Sequence, residues 1–423
     1  MSKEKNKWIS IALINLSIVA MLGVILRSKI LFSIPAIDFK YILHAHSHFA
    51  FGGWITLCML TLMTYELLPE EDSHKLIYRV LLLGILIAAA GMLLSFPFQG
   101  YAFFSILFST LFIFVTYAYS WVFIKDLIKQ NRPKVIKLLS ITSLLFLCLS
   151  SVGPFTLAYM LASHSVNTLL YKDAIYTYLH LQYNGFFTQC VFSLFLNHIY
   201  NNCKVSAQKK IGQFALYLSI SVVPTLCLSY LWHFQNIVIQ TIAFIGCMFL
   251  IIVLVKFFIM MHFAKDSFKN INPFARKIGL LSMIAFALKT IIQTGIVYPA
   301  VGNEVFGDRP IIIGYLHLVM LGFVTLYLLA HLIQIKYFDL DKQNAKIGIF
   351  IFAIAVIANE LILMTQGLAV MYMLSSVAYP WLLWVIAIFL FLGSLFISRS
   401  AMKYFIPSSS INNIHFKQSN NIS

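Results

Sequence analysis

Stretches of about twenty apolar residues recur twelve times along this chain of 423 residues. They constrain the fold more than any other feature. Inside a bilayer no water is at hand for backbone N–H and C=O groups, so such stretches fold as helices that satisfy those groups internally. The stretches lie near residues 8–27, 41–68, 76–97, 101–124, 136–160, 174–199, 212–232, 237–261, 277–299, 311–335, 346–370 and 380–402. They give a chain that is 61% hydrophobic and 10% charged, a balance foreign to water-soluble domains of this length. The prediction is an all-α membrane protein with twelve transmembrane helices.

Charge fixes an orientation for those helices. The formal net charge is +16, which on a soluble chain would suggest nucleic acid. Here 24 Lys and Arg fall in the amino-terminal tail, the even-to-odd connections and the carboxyl tail. Five (Arg27, Lys29, Lys40, Lys172, Arg309) fall on the other side. That asymmetry is the positive-inside pattern and predicts both termini on the cytoplasmic side. The basic excess is then a topology signal that also suits anionic membrane lipid, and nucleic acid is not an expected partner. The first stretch is too long for a cleaved signal and lacks a small-residue cleavage site, so it is read as a retained helix. The six cysteines form no Cys-x-x-Cys pair and mostly lie within apolar stretches, where they read as small packing residues. The chain reads as a single membrane domain, and the tail over 406–423 is polar and reads as disordered.

Three segments within the chain repeat one pattern. They are His48-Phe-Ala-Phe-Gly-Gly53-Trp-Ile-Thr56, His180-Leu-Gln-Tyr-Asn-Gly185-Phe-Phe-Thr188 and His317-Leu-Val-Met-Leu-Gly322-Phe-Val-Thr325. A long fixed period means a repeated structural unit. The spacing divides the chain into units of about 1–135, 136–270 and 271–405, each with four helices and a histidine on its second. All three histidine helices run from outside to inside, which places the rings roughly 10 Å below the outer surface at 1.5 Å per residue. His44, His46, His164 and His233 share that level. His74, His198, His262, His331 and His415 fall on the cytoplasmic side, where solvent or headgroup contact is expected. A lone buried histidine is ordinarily a hydrogen-bonded packing residue, and Gly and Thr at fixed spacing commonly mark helix contacts. Three at one depth with four neighbours point instead to haem or metal ligation, for which neutral imidazole is well suited. His44 and His48 stack on one helix face while His46 points about opposite.

Lys289 lies mid-stretch in the ninth helix, with Gln293 one turn on. A lysine there costs about 2.5–3.5 kcal/mol unless partnered. Glu360 of the eleventh helix is one expected partner; a proton path through Lys289, Gln293 and Glu360 is the functional alternative. Glu66, near the end of the second helix, is read as snorkelling to the surface.

These residues resemble the haem-copper oxidases, the superfamily of cytochrome oxidase subunit I and the nitric oxide reductase large subunit. His180-Leu-x3-Gly185-Phe-Phe is similar to the helix-six segment of nitric oxide reductases. The run from His48 to Pro69-Glu-Glu resembles their helix two. Phe49-Ala-Phe-Gly-Gly resembles helix two of C-type oxidases, an alignment that makes His44 the ligand instead. His317-Leu-x3-Gly322 resembles the second histidine of the helix-ten pair.

The resemblance implies three four-helix arcs around a pseudo-three-fold axis. It further implies a low-spin haem b held by His48 or His44 with His317, and a second site where His180 and His233, joined by His46 or His164, hold copper or non-haem iron. The chain departs from the pattern in three places: Tyr315 replaces the axial histidine of a second haem, His233 follows Trp232 where the family has His-His, and Asn184 replaces a glutamate. Tyr315 and Asn184 are the residues the resemblance places at the reaction centre. The implied activity is reduction of a small gas, nitric oxide or oxygen, at a bacterial inner membrane. Its electrons would come from cytochrome c, a cupredoxin or quinol, with a small partner subunit alongside. The lost ligands favour a non-catalytic haem- or copper-binding relative as the alternative. A secondary transporter fits less well, since transporter repeats are usually two-fold.

Overall fold

The computed structural model describes residues 2–233, 236–298, 309–340, 343–374 and 376–404, and every regular element among them is helical. Eleven helices are long and apolar enough to cross a membrane: α1 (Lys3–Leu31), α2 (Phe39–Leu67), α3 (Leu76–Gln99), α4 (Phe103–Lys129), α5 (Lys134–Ala162), α7 (Val205–Tyr230), α8 (Ile237–Asn270), α9 (Pro273–Gly295), α10 (Arg309–Gln334), α11 (Gln343–Met371) and α12 (Ala378–Tyr404). Between α5 and α7 runs a further continuous helix, α6 (168–199). It is not among the eleven, so the expected twelve apolar spans become eleven plus one polar helix. The reason is chemical: Gln182, Asn184 and Gln189 on α6 are all buried, and each lowers its hydropathy while turned toward protein instead of lipid. The tail over 406–423 and His415 lie outside the described residues.

Short polar residues set the helix starts. Ser2 accepts from the Lys5 N–H, Asp38 from Tyr41 and Asn167 from Leu169 and Leu170. Asn236 caps α8, and Asn272 caps α9 with Pro273 at its first position. Each occupies a group that water would otherwise have to solvate.

The chain closes on itself. α1 packs along α12, with Ser17 Oγ donating to the Ser394 carbonyl at 2.8 Å and Trp384 Nε1 donating to Ser28 Oγ at 2.9 Å. Consecutive pairs α3–α4, α7–α8 and α11–α12 also pack side by side. The three histidine-bearing helices α2, α6 and α10 meet one another in the interior. Of the most apolar part of α2, 78% is buried, against 22% for α4, whose outward Phe103, Leu107, Phe114 and Trp121 make an apolar surface suited to lipid.

The repeated segments share an unforeseen backbone. In each, the α-helix widens to a π-helix immediately or shortly after the histidine: Ala50–Thr56 in α2, Leu181–Phe187 in α6 and Leu318–Thr325 in α10. The widened turns close with bonds from Leu57 N–H to the Gly52 carbonyl, from Thr188 to Tyr183 and from Leu326 to Leu321. A π-turn inserts one extra residue and rotates everything beyond it, and such turns gather at functional sites. Three at one motif position carry the repeat from sequence into backbone. The motif residues also meet across helices, since Trp54 Nε1 donates to Thr325 Oγ1 at 3.0 Å with both residues buried.

The motif glycines serve close packing. A methyl on Gly185 would lie 2.5 Å from Phe146 Cβ of α5, and one on Gly322 would lie 3.3 Å from Ala285 Cβ of α9. Gly185→Ala is therefore expected to destabilise the fold by about 1–3 kcal/mol through overpacking. Gly212→Ala, where a methyl meets nothing within 4 Å, should be neutral or better. Thermal unfolding of both variants in detergent checks the contrast.

Candidate cofactor site

The ten residues after Asp38 bring three histidines onto the amino-terminal half of α2, and their rings diverge. His44 and His48 turn toward α3. His48 stacks on Phe96 with centroids 4.6 Å apart, and its Nε2 lies 2.9 Å from Tyr101 Oη. His44 meets the Tyr101 ring edge-on at 4.6 Å. The i, i+4 spacing thus gives one aromatic stack of two imidazoles, a phenyl and a phenol.

His46 points the other way, toward α1. Its Nδ1 lies 3.1 Å from the Val19 carbonyl, and its ring edge passes Gly23, where a methyl would sit 3.6 Å from it. On α10, His317 Nδ1 lies 2.8 Å from the Ile313 carbonyl, one turn back. A carbonyl can only accept, so both imidazoles carry their proton on Nδ1. In the neutral rings the lone pair then sits on Nε2. His46 and His317 lie within electrostatic range of each other and of Arg27 on α1. Arg27 is a further element of this site that sequence reading treated only as a topology marker. Its place one turn beyond Gly23 on α1 was the available signal.

His180 is held differently. Its Nε2 lies 2.9 Å from the Val222 carbonyl and must donate, so its Nδ1 accepts from Asn184 Nδ2 at 3.2 Å. Asn184 Oδ1 in turn accepts from Lys289 Nζ at 2.6 Å, and Thr188 Oγ1 lies 3.4 Å from the same ammonium. Each donor and acceptor is thereby fixed: Lys289 to Asn184 to His180 to the Val222 carbonyl. Both nitrogens of His180 are used in this chain. A cavity of about 10 Å³ beside it, bordered by Ser221, Thr225 and Lys289, has room for about one water.

The expected Lys289–Glu360 pair does not form. Lys289 is satisfied by Asn184 and Thr188, while Glu360, half-buried on α11, accepts from Asn359 at 3.0 Å. Gln293 is buried and accepts from Tyr315 Oη at 3.4 Å; the Tyr315 ring meets Tyr183 edge-on at 5.6 Å. Tyr315 therefore links α10 to the polar chain of α6 and α9 through Tyr183 and Gln293.

The four histidines assigned to a second metal are not brought together. His164 takes the left-handed residue ending α5, with φ 52°, and is exposed. His233 pairs with Asp173, with Nε2 2.8 and 2.9 Å from the two carboxylate oxygens. His180 is spent on its own hydrogen bonds, and His46 faces α1. Among the described residues, no three His, Cys, Asp or Glu side chains are grouped to hold a metal ion.

Two cytoplasmic-end expectations also change. His331 is buried, 5% exposed, where solvent contact was expected, and the Glu66 side chain is bonded inward instead of snorkelling. The Glu66 carboxylate lies between Lys5 Nζ at 2.7 Å and His331 Nε2 at 2.8 Å, joining α1, α2 and α10. Arg132 closes the end of α2 by donating to the Glu66 and Leu67 carbonyls. The signal was that Glu66 and His331 both sit on histidine-bearing helices, whose faces point inward.

No family model matches this chain, and no curated protein matches it.

Removing Glu66 should leave Lys5 and His331 as uncompensated buried donors. Glu66→Leu is expected to destabilise the protein by about 3–5 kcal/mol, and adding Lys5→Met and His331→Leu should recover much of that loss. Denaturant unfolding of the single and triple variants measures it.

Proposed function

We propose that this chain is a membrane electron-transfer protein that holds a haem b between α2 and α10, on a plan resembling the haem-copper oxidases. The observation that supports it is the matched pair His46 and His317. Both lie on interior helices, both have Nδ1–H fixed by a backbone carbonyl, and both keep a lone pair on Nε2. Fixing Nδ1 in this way sets the tautomer and ring orientation that an axial ligand needs. Arg27, close enough on α1 to act electrostatically on both imidazoles, offers a cation for haem carboxylates, and Gly23 lets α1 pass close to the His46 ring.

This reading moves the helix-two ligand from His48 or His44 to His46. When bound, the haem supplies a one-electron couple. The protein's own contribution is to keep the two imidazoles neutral and oriented, to place a positive charge beside them and to exclude water. In the orientation set by the positive-inside pattern, both termini are cytoplasmic and the haem lies near the outer face of a bacterial inner membrane.

A second reading, gas reduction by an oxidase-like enzyme, draws on the buried chain Lys289–Asn184–His180 with Tyr315 and Gln293 beside it. These groups, with the one-water cavity beside them, offer buried positions at which a proton could be held for reduction of oxygen or nitric oxide. The dispersed His164 and His233 weigh toward electron transfer as the primary reading.

Purified protein should show the absorption of a six-coordinate low-spin haem b. His46→Ala and His317→Ala should each abolish that signal, while His48→Ala should keep it. Protein without haem, or a spectrum lost in His48→Ala and kept in His46→Ala, would overturn the assignment.

A further inference from the structure

Away from His46 and His317, α5, α6 and the end of α7 border a half-open cavity of about 220 Å³, lined by Val152, Gly153, Thr156, Asp173, Thr177 and Tyr230 among others. We infer that it binds the ring of a membrane-borne quinol, with a ring hydroxyl donating to the Asp173 carboxylate. The inference rests on the electron-transfer reading for its purpose, since it names the donor class, while its test needs no haem.

Depth is the first argument. Asp173 and Thr177 lie roughly 8 and 14 Å below the start of α6, and Thr156 and Gly153 roughly 9 and 14 Å below the end of α5, at 1.5 Å per residue. With the helix ends taken at the membrane surface, Asp173 and Thr156 fall close to the headgroup–acyl boundary and Thr177 and Gly153 just inside the hydrocarbon, the span an amphiphile with a polar ring and an apolar tail occupies. On the neighbouring surface of α5, Val152, Phe155 and Tyr159 are exposed and apolar or aromatic, which suits a tail lying in lipid.

The polar floor is the second argument. Asp173 is oriented by His233, which contacts both carboxylate oxygens. A carboxylate accepts at about four lone-pair sites, so acceptor capacity remains toward the cavity. Thr177 and Tyr230 hydroxyls are bonded to each other at 2.6 Å on the same wall. An acyl chain in this space would leave the carboxylate facing hydrocarbon, at a cost. A ring hydroxyl satisfies it with a charge-assisted hydrogen bond. The oxidised quinone has only carbonyl acceptors, so it meets the carboxylate with no donor. The site therefore selects the reduced form.

Calorimetric titration of the full-length protein in nanodiscs tests this, using a decyl-substituted benzoquinol kept reduced and, separately, its oxidised quinone. The quinol should bind at least about tenfold more tightly than the quinone, the worth of one hydrogen bond to a charged group. Asp173→Asn should weaken quinol binding about tenfold and remove the preference. Thr156→Trp, which fills the cavity, should abolish binding of both. Should Asp173→Asn fail to fold, Thr156→Trp still decides the location and the two redox forms still decide the chemistry. His46→Ala, expected to lack haem, should bind quinol as the wild type does, which separates failure of this site from failure of the haem assignment. Equal affinity for the two forms in the wild type, or undiminished binding in Thr156→Trp, would overturn the inference.

Discussion

The interior of a bilayer offers polar groups no solvent, and the arrangement of this protein follows from how it answers that constraint. Inward-facing polar side chains on α2, α6, α9 and α10 find protein partners there, with the Gln189 amide nitrogen the exception among them. Lys289 is the extreme case. A buried lysine within a membrane-length helix is bonded to Asn184 and Thr188, and the hydrogen-bond directions then propagate through His180 to the Val222 carbonyl. The Glu66 carboxylate answers the same constraint at the other end by binding Lys5 and His331 at once. Interior helices that carry ions and amides can remain in a membrane because outer helices such as α4 take the lipid contact.

The π-helical turns connect that packing to the site. Each follows a repeated histidine and runs up to the motif threonine, including Thr56 and Thr325 and stopping one residue short of Thr188. A widened turn shifts the phase of all that follows, so residues before and after it on each helix answer to different neighbours. On α2 the residues before the widened turn direct His46 toward α1 and His48 toward Tyr101, while those within and after it direct Trp54 to Thr325 and Glu66 to His331. A regular α-helix would hold these two halves in a different relative rotation.

Much of the architecture was legible because membrane helices announce themselves by length and apolarity. The three related histidine segments were legible from motif spacing, and each carries a widened turn at the same place. What escaped was rotation and partnership. The i, i+4 rule placed His44 and His48 on one face, yet could not say whether that face or the opposite one looked inward; contacts with Phe96 and Tyr101, and with Val19, decide it. Lys289 was matched to Glu360 because both are ions in the same leaf of sequence, whereas an amide four residues past His180 satisfies it. The π-turns left no distinctive composition beyond the glycines. α6 fell below the apolarity of the other spans because its polar residues face protein, and a hydropathy scale has no knowledge of facing.

The central claim is that the imidazoles of His46 and His317 face a common haem across the interior of α2 and α10. A cryo-electron-microscopy map of the protein purified from membranes addresses it most directly. Flat density between the two rings, with each Nε2 directed at its centre and Arg27 near one edge, is the predicted result. Direct packing of α2 against α10 at this level with no such density, or a flat group held instead by His48, would contradict it.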